Sequence, residues 1–90
     1  IATHEVKDTA HWLASPKRAE IFATIGVTNI RTFVNPQNRN SVGLIMDVPD
    51  MDAMMALLES DEGKAAEEYD GVLAETIAIY TLVIIILKVV

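Results

Sequence analysis

The sequence predicts a single α+β domain with elements in the order β-α-β-β-α-β. Three observations carry this. Strand-like and helix-like apolar spacings follow one another in that order. The two central strand segments are joined by the turn-forming run Asn35-Pro36-Gln37-Asn38-Arg39-Asn40. The chain has 90 residues, 51% apolar and 22% charged, which suffices for one globular domain and no more.

Each element has a local cause. Residues 1–6 read as a short strand through the β-branched Ile1, Thr3 and Val6. Asp8 or Thr9 can cap a helical region over about 9–25. Ser15-Pro16 falls inside it and looks like a second helix start, so two short helices or one kinked helix are expected. Trp12, Ala19, Phe22 and Ile25 form its inward stripe, and Gly26 stops it. In residues 27–34, Ile30, Thr32 and Val34 share one face, while Asn29, Arg31 and Phe33 share the other. The strand returns over 41–48 with Val42, Leu44, Met46 and Val48 on one face. Pro49-Asp50 opens a helix on which Met51, Met54, Met55 and Leu58 make an apolar face. Ser60 caps a further helix over about 61–70 with Ala65, Ala66 and Tyr69 inward, and Gly71 ends it. A last strand starts near 75. This order is the split βαβ, ferredoxin-like arrangement with an antiparallel sheet.

The C-terminal run predicts an assembly. A mean hydropathy of +0.30 is high for a chain whose small size buries only about 60–65% of its unfolded surface. The twelve uncharged residues between Glu75 and Lys88 are too few for a spanning helix of about 20 and are rich in β-branched residues, so they read as strand. Extended, residues 76–90 reach about 50 Å, roughly twice what the other strands can cover. An unpaired Val83-Ile84-Ile85-Ile86-Leu87 would aggregate. The expectation is a homodimer held through the sheet and an exchanged or extended C-terminal strand. Ile1 in place of Met implies that N-terminal residues are missing.

The stretch Thr3-His4-Glu5-Val6-Lys7-Asp8 followed by Trp12 resembles the start of small dimeric α+β barrel proteins. So do Gly26-Val27 ahead of the hairpin and Asp47-Val48-Pro49-Asp50-Met51-Asp52 entering an acidic helix. That superfamily includes antibiotic-biosynthesis-type monooxygenases, muconolactone isomerases and uncharacterised ferredoxin-like proteins. The resemblance covers nearly the whole chain and speaks more to fold than to chemistry. It implies a barrel made where two sheets meet, and a mostly apolar pocket between each sheet and its helices or inside the barrel. The long hydrophobic tail departs from the shorter relatives.

The bulk numbers exclude several functions. With no cysteine there is no disulfide scaffold, zinc finger, iron–sulfur cluster or thiol catalysis. The net charge of −6 is concentrated in residues 47–75, where ten acids face Lys64 alone; this speaks against nucleic acid and anionic membrane as partners. There is no phosphate-binding glycine loop, no G-x-S-x-G and no H-E-x-x-H. No cofactor or metal is expected, since His4 and His11 have no ligand spacing around them. No leader-like segment is seen, and a soluble, cytoplasmic protein is expected.

Candidate site residues remain. His4 shares a strand face with Ala2 and Val6, where a histidine is commonly a satisfied core group; as a pocket residue it would be an acid or base near neutral pH. Arg31 is a rim arginine or an anchor for a carboxylate or enolate, the latter weakened if Asp47 pairs with it. Trp12, Phe22, Asn29 and Phe33 are candidate pocket walls. Met46, Met51, Met54 and Met55 fall within ten residues, and thioethers suit a deformable apolar cavity as well as ordinary packing. Tyr69 and Tyr80 could orient a ligand carbonyl. The expected function is binding of a small apolar molecule, fatty-acid-like or aromatic. The alternatives are a cofactor-independent monooxygenase or isomerase with His4 as base and Arg31 as anion stabiliser, and a ligand-free structural dimer.

Overall fold

The computed structural model describes residues 1–83. Its elements are β1 (Ala2–Val6), α1 (Thr9–Ala14), α2 (Lys17–Ala23), β2 (Thr28–Asn35), β3 (Asn38–Asp47), α3 (Met51–Glu59), α4 (Asp61–Asp70) and β4 (Val72–Ile79). The four strands form an open antiparallel sheet in the order β2-β3-β1-β4. This α+β architecture is compatible with the ferredoxin-like arrangement.

Local chemistry sets the helix boundaries. The Asp8 and Asp50 carboxylates accept from the His11 and Ala53 N–H groups, each at 3.1 Å, and the Ser60 hydroxyl accepts from Gly63 N–H at 3.0 Å. Each bond satisfies a donor that a helix start leaves unpaired. The 9–25 region is two helices, because Pro16 interrupts it; Ser15 Oγ accepts from Lys17 N–H at 3.2 Å beside the break. Gly71 ends α4 with φ +71, which a side chain would strain.

Two sequence expectations about facing are corrected. Ala19 is exposed, because Trp12 and Phe22 lie on different helices and the stripe does not continue through Pro16. On α4, Ala65 and Tyr69 face outward, and Gly63, Ala66 and Asp70 are the buried residues. Gly63 explains the shift. A Cβ there would stand 2.0 Å from the Leu57 carbonyl oxygen, so only glycine lets α4 come this close to the end of α3. β4 also starts earlier than expected, at Val72, and its strand ends at Ile79. The expectation for the tail beyond Val83 lies outside the described residues.

The helices cover one face of the sheet. Val6, Trp12, Val42 and Leu44 form one core cluster, and Phe22, Val27 and Met54 form a second. Ile30 and Met46 pack against both and join them. The other face carries Thr3, Glu5, Arg31 and Phe33, all exposed. Where the β1–β4 register shifts, Thr76 Oγ1 accepts from Glu5 N–H at 2.8 Å and donates to the Leu73 carbonyl at 2.6 Å, filling the gap in the ladder.

Candidate functional site

Between the covered sheet face and the helices lies a cavity of about 90 Å³. β1 and β3 supply His4, Leu44 and Met46; α1 and α2 supply Trp12, Arg18 and Phe22; α3 and α4 supply Met54, Ala66 and Asp70. Exposed Ile1 and Tyr80 stand at its rim, held together by Ile1 N–H to Tyr80 O and Tyr80 N–H to Ile1 O, each 2.7 Å. The walls are overwhelmingly apolar, as ligand sites usually are.

The polar part is a cluster around Trp12, which is fully buried. The Arg18 guanidinium stacks on the indole, with Cζ 4.3 Å from the ring centroid, and donates to the Trp12 carbonyl at 2.8 Å. His4 meets the same indole edge-on, ring centroids 5.5 Å apart. Asp70 Oδ2 stands 3.7 Å from the Arg18 guanidinium, close enough for an ion pair and too far for a good hydrogen bond. His4 and Asp70 are buried, at 7% and 3% exposure.

Arg18 and Asp70 sit against the preference of their own helices. Arg18 is in the first turn of α2 and Asp70 is the last residue of α4, so each charge faces the like-signed end of a helix dipole. Arg18 is held instead by the Trp12 ring and carbonyl, with Asp70 beside it. Burial holds the His4 pKa below its ordinary 6.5; the Arg18 charge lowers it further, while the Glu5 backbone and Asp70 oppose the shift. The imidazole is therefore neutral at pH 7. Burial also lowers the Arg18 pKa, with Asp70 opposing, and raises that of Glu67, another wall residue.

Three polar atoms of this cluster are buried without a partner: His4 Nδ1, Trp12 Nε1 and Asp70 Oδ1. Each such atom costs about 1–3 kcal/mol, so three on neighbouring residues mark an incomplete polar site.

Of the residues singled out in the sequence, the cavity gathers His4, Trp12, Phe22, Met46, Met51, Met54 and Tyr80. Met55 is exposed and lies in a shallow groove beside β4. Tyr69 is exposed, with His11 at 5.3 Å and Lys17 over its ring at 5.3 Å. Arg31 and Phe33 lie on the uncovered face, so the sheet separates Arg31 from His4. Asn29 is exposed with φ +56 at the start of β2. Asp47 aligns with Thr28 and forms no ion pair with Arg31 among the described residues. Arg18 and Asp70 are the site residues that sequence reasoning missed. Their place at an unfavourable helix end is shared by Lys17, Glu67 and Glu68, so it does not single them out in the sequence.

No group of three or more metal-ligating side chains occurs among the described residues, and no helix there is long and apolar enough to cross a membrane. Comparison with protein-family models, with curated proteins and with solved structures finds no match to this chain.

Proposed function

We propose that this protein binds a small, mostly apolar molecule in the cavity between sheet and helices. The observation that carries the reading is the cavity itself, mostly apolar, with Arg18, Glu67 and the incomplete polar cluster at His4, Trp12 and Asp70 as its polar part. At about 90 Å³ it is smaller than the roughly 150 Å³ of a cavity that takes benzene. A compact aromatic or short-chain ligand therefore fits better than a fatty acid, and Met46, Met51 and Met54 supply the give it needs. The test is native mass spectrometry of gently purified protein, with thermal shifts against small aromatics. Copurified small molecules or stabilisation supports the reading; empty protein that no compact apolar probe stabilises overturns it.

The enzyme alternative loses support from the separation of His4 and Arg31 by the sheet. A ferredoxin-like homodimer of the α+β barrel type remains the assembly proposal. It is supported by the uncovered sheet face, by Phe33 at 48% exposure on it, and by Leu82 and Val83, exposed beyond the end of β4. Sedimentation velocity of the wild type and Phe33→Asp tests it: a wild-type dimer that the substitution dissociates is expected, and a wild-type monomer overturns it.

A further inference from the structure

The three unpartnered atoms form a specific pattern. Trp12 Nε1–H can only donate. Asp70 Oδ1, on a carboxylate paired with Arg18, accepts. Neutral His4 donates or accepts at Nδ1 according to its tautomer. All three residues line one cavity. A hydroxyl group has one O–H to give and two lone pairs to receive. Its O–H matches Asp70 Oδ1, and its lone pairs match Trp12 Nε1–H and the Nδ1–H tautomer of His4. A carbonyl or ether would receive from the two donors and leave Asp70 unsatisfied. A carboxylate would do the same and add a charge.

Charge points the same way. Arg18 and Asp70 together carry no net charge, and His4 is neutral. An anionic head group brought here would be buried with no free cation beside it, since Arg18 is already paired with Asp70. Resting on the cavity reading above, we infer that the ligand is a neutral hydroxyl compound, such as a phenol, enol or small alcohol, with its hydroxyl seated among His4, Trp12 and Asp70 and its apolar body in the methionine-lined part.

The probes are phenol, toluene and benzoate, which share one ring and differ in the head group. Trp12 is the only tryptophan, so its fluorescence reports on the cluster without background. Titrations that follow it, supported by thermal shifts, give the three affinities. Phenol is expected to bind at least about tenfold more tightly than toluene or benzoate, a step equivalent to about 1.4 kcal/mol. Asp70→Asn removes the negative partner of Arg18 and should narrow the phenol-to-benzoate ratio to within about threefold. The wild-type order stands as a test on its own if this variant fails to fold. Toluene binding as tightly as phenol would show a retained water completing the cluster and would overturn the hydroxyl inference while leaving the apolar cavity intact. Benzoate binding tightest overturns it in favour of an anion site. If none of the three binds, the cavity reading fails as well.

Discussion

The two faces of the sheet are made from alternate residues of the same strands, yet they have different chemistry. On β1, His4 and Val6 are buried beneath the helices while Thr3 and Glu5 lie open. On β3, Val42 and Leu44 are buried while the alternate residues Gly43 and Ile45 are half-buried. Beneath the helices, the buried histidine of β1 meets a stacked arginine from α2 and an acid from α4, all lining a cavity. The uncovered face holds Glu5, Arg31 and Phe33 in contact with solvent. The same residue type therefore has opposite consequences on the two sides: Arg18 is part of a desolvated cluster, and Arg31 is a surface charge. Where desolvation is strong, charges and dipoles interact strongly and leaving them unpaired is costly.

The comparison is broken most severely at its centre. Trp12→Ala should destabilise by about 3–5 kcal/mol, the usual range for deleting a buried aromatic, while Phe33→Ala costs under about 1 kcal/mol in the monomer. Urea unfolding of the two variants checks the contrast, and equal losses would mean that the uncovered face is as deeply packed as the core. Arg18→Ala leaves Asp70 buried without its partner and should cost about 3 kcal/mol; Arg31→Ala should stay within about 0.5 kcal/mol. Gly71→Ala imposes a side chain on φ +71 and should cost about 1 kcal/mol, measurable as a lowered Tm.

The smallest effect is a pH dependence. Burial keeps the folded-state pKa of His4 below 6.5, so on acidification the unfolded chain takes up a proton first. The contribution to stability is fully present above about pH 6.5 and is lost as pH falls below it. Unfolding midpoints across this window should fall with acidification in the wild type, and the fall should be shallower in His4→Gln. An equal slope in both would assign the acid sensitivity to other groups.

Much of the fold was legible in the sequence because it rests on local rules. Alternating apolar residues set the hairpin, and Asp8, Asp50, Ser60 and Gly71 set helix ends by chemistry confined to one turn. The rotation of α4 was not legible, because it depends on Gly63 approaching the Leu57 carbonyl across a helix pair. The site was legible in its apolar half. Trp12, Phe22, Met46 and Met54 announce themselves as core-like residues, and the cavity is lined by such residues. Of its polar half, His4 was legible as a polar group on an apolar strand face; Asp70 was obscured because it belongs to a run of acids that are mostly solvated, and only tertiary packing distinguishes it from Glu68 beside it. Arg31 drew attention through its neighbours Ile30 and Thr32, but strand alternation alone does not say which face the helices cover.

The layer over the cavity consists of four helices of 6 to 10 residues. Helices shorter than about 12–15 residues do not hold their shape in water by themselves. Each of these keeps its form only while it rests on the sheet and on its neighbours. The breaks at Ser15-Pro16 and at Ser60 divide the layer into short rods that can lift separately. Local opening of one such rod is expected to cost less free energy than global unfolding. Under the ligand-binding reading proposed above, a molecule in the cavity would enter and leave with the detachment of one short helix, while the strands stay paired.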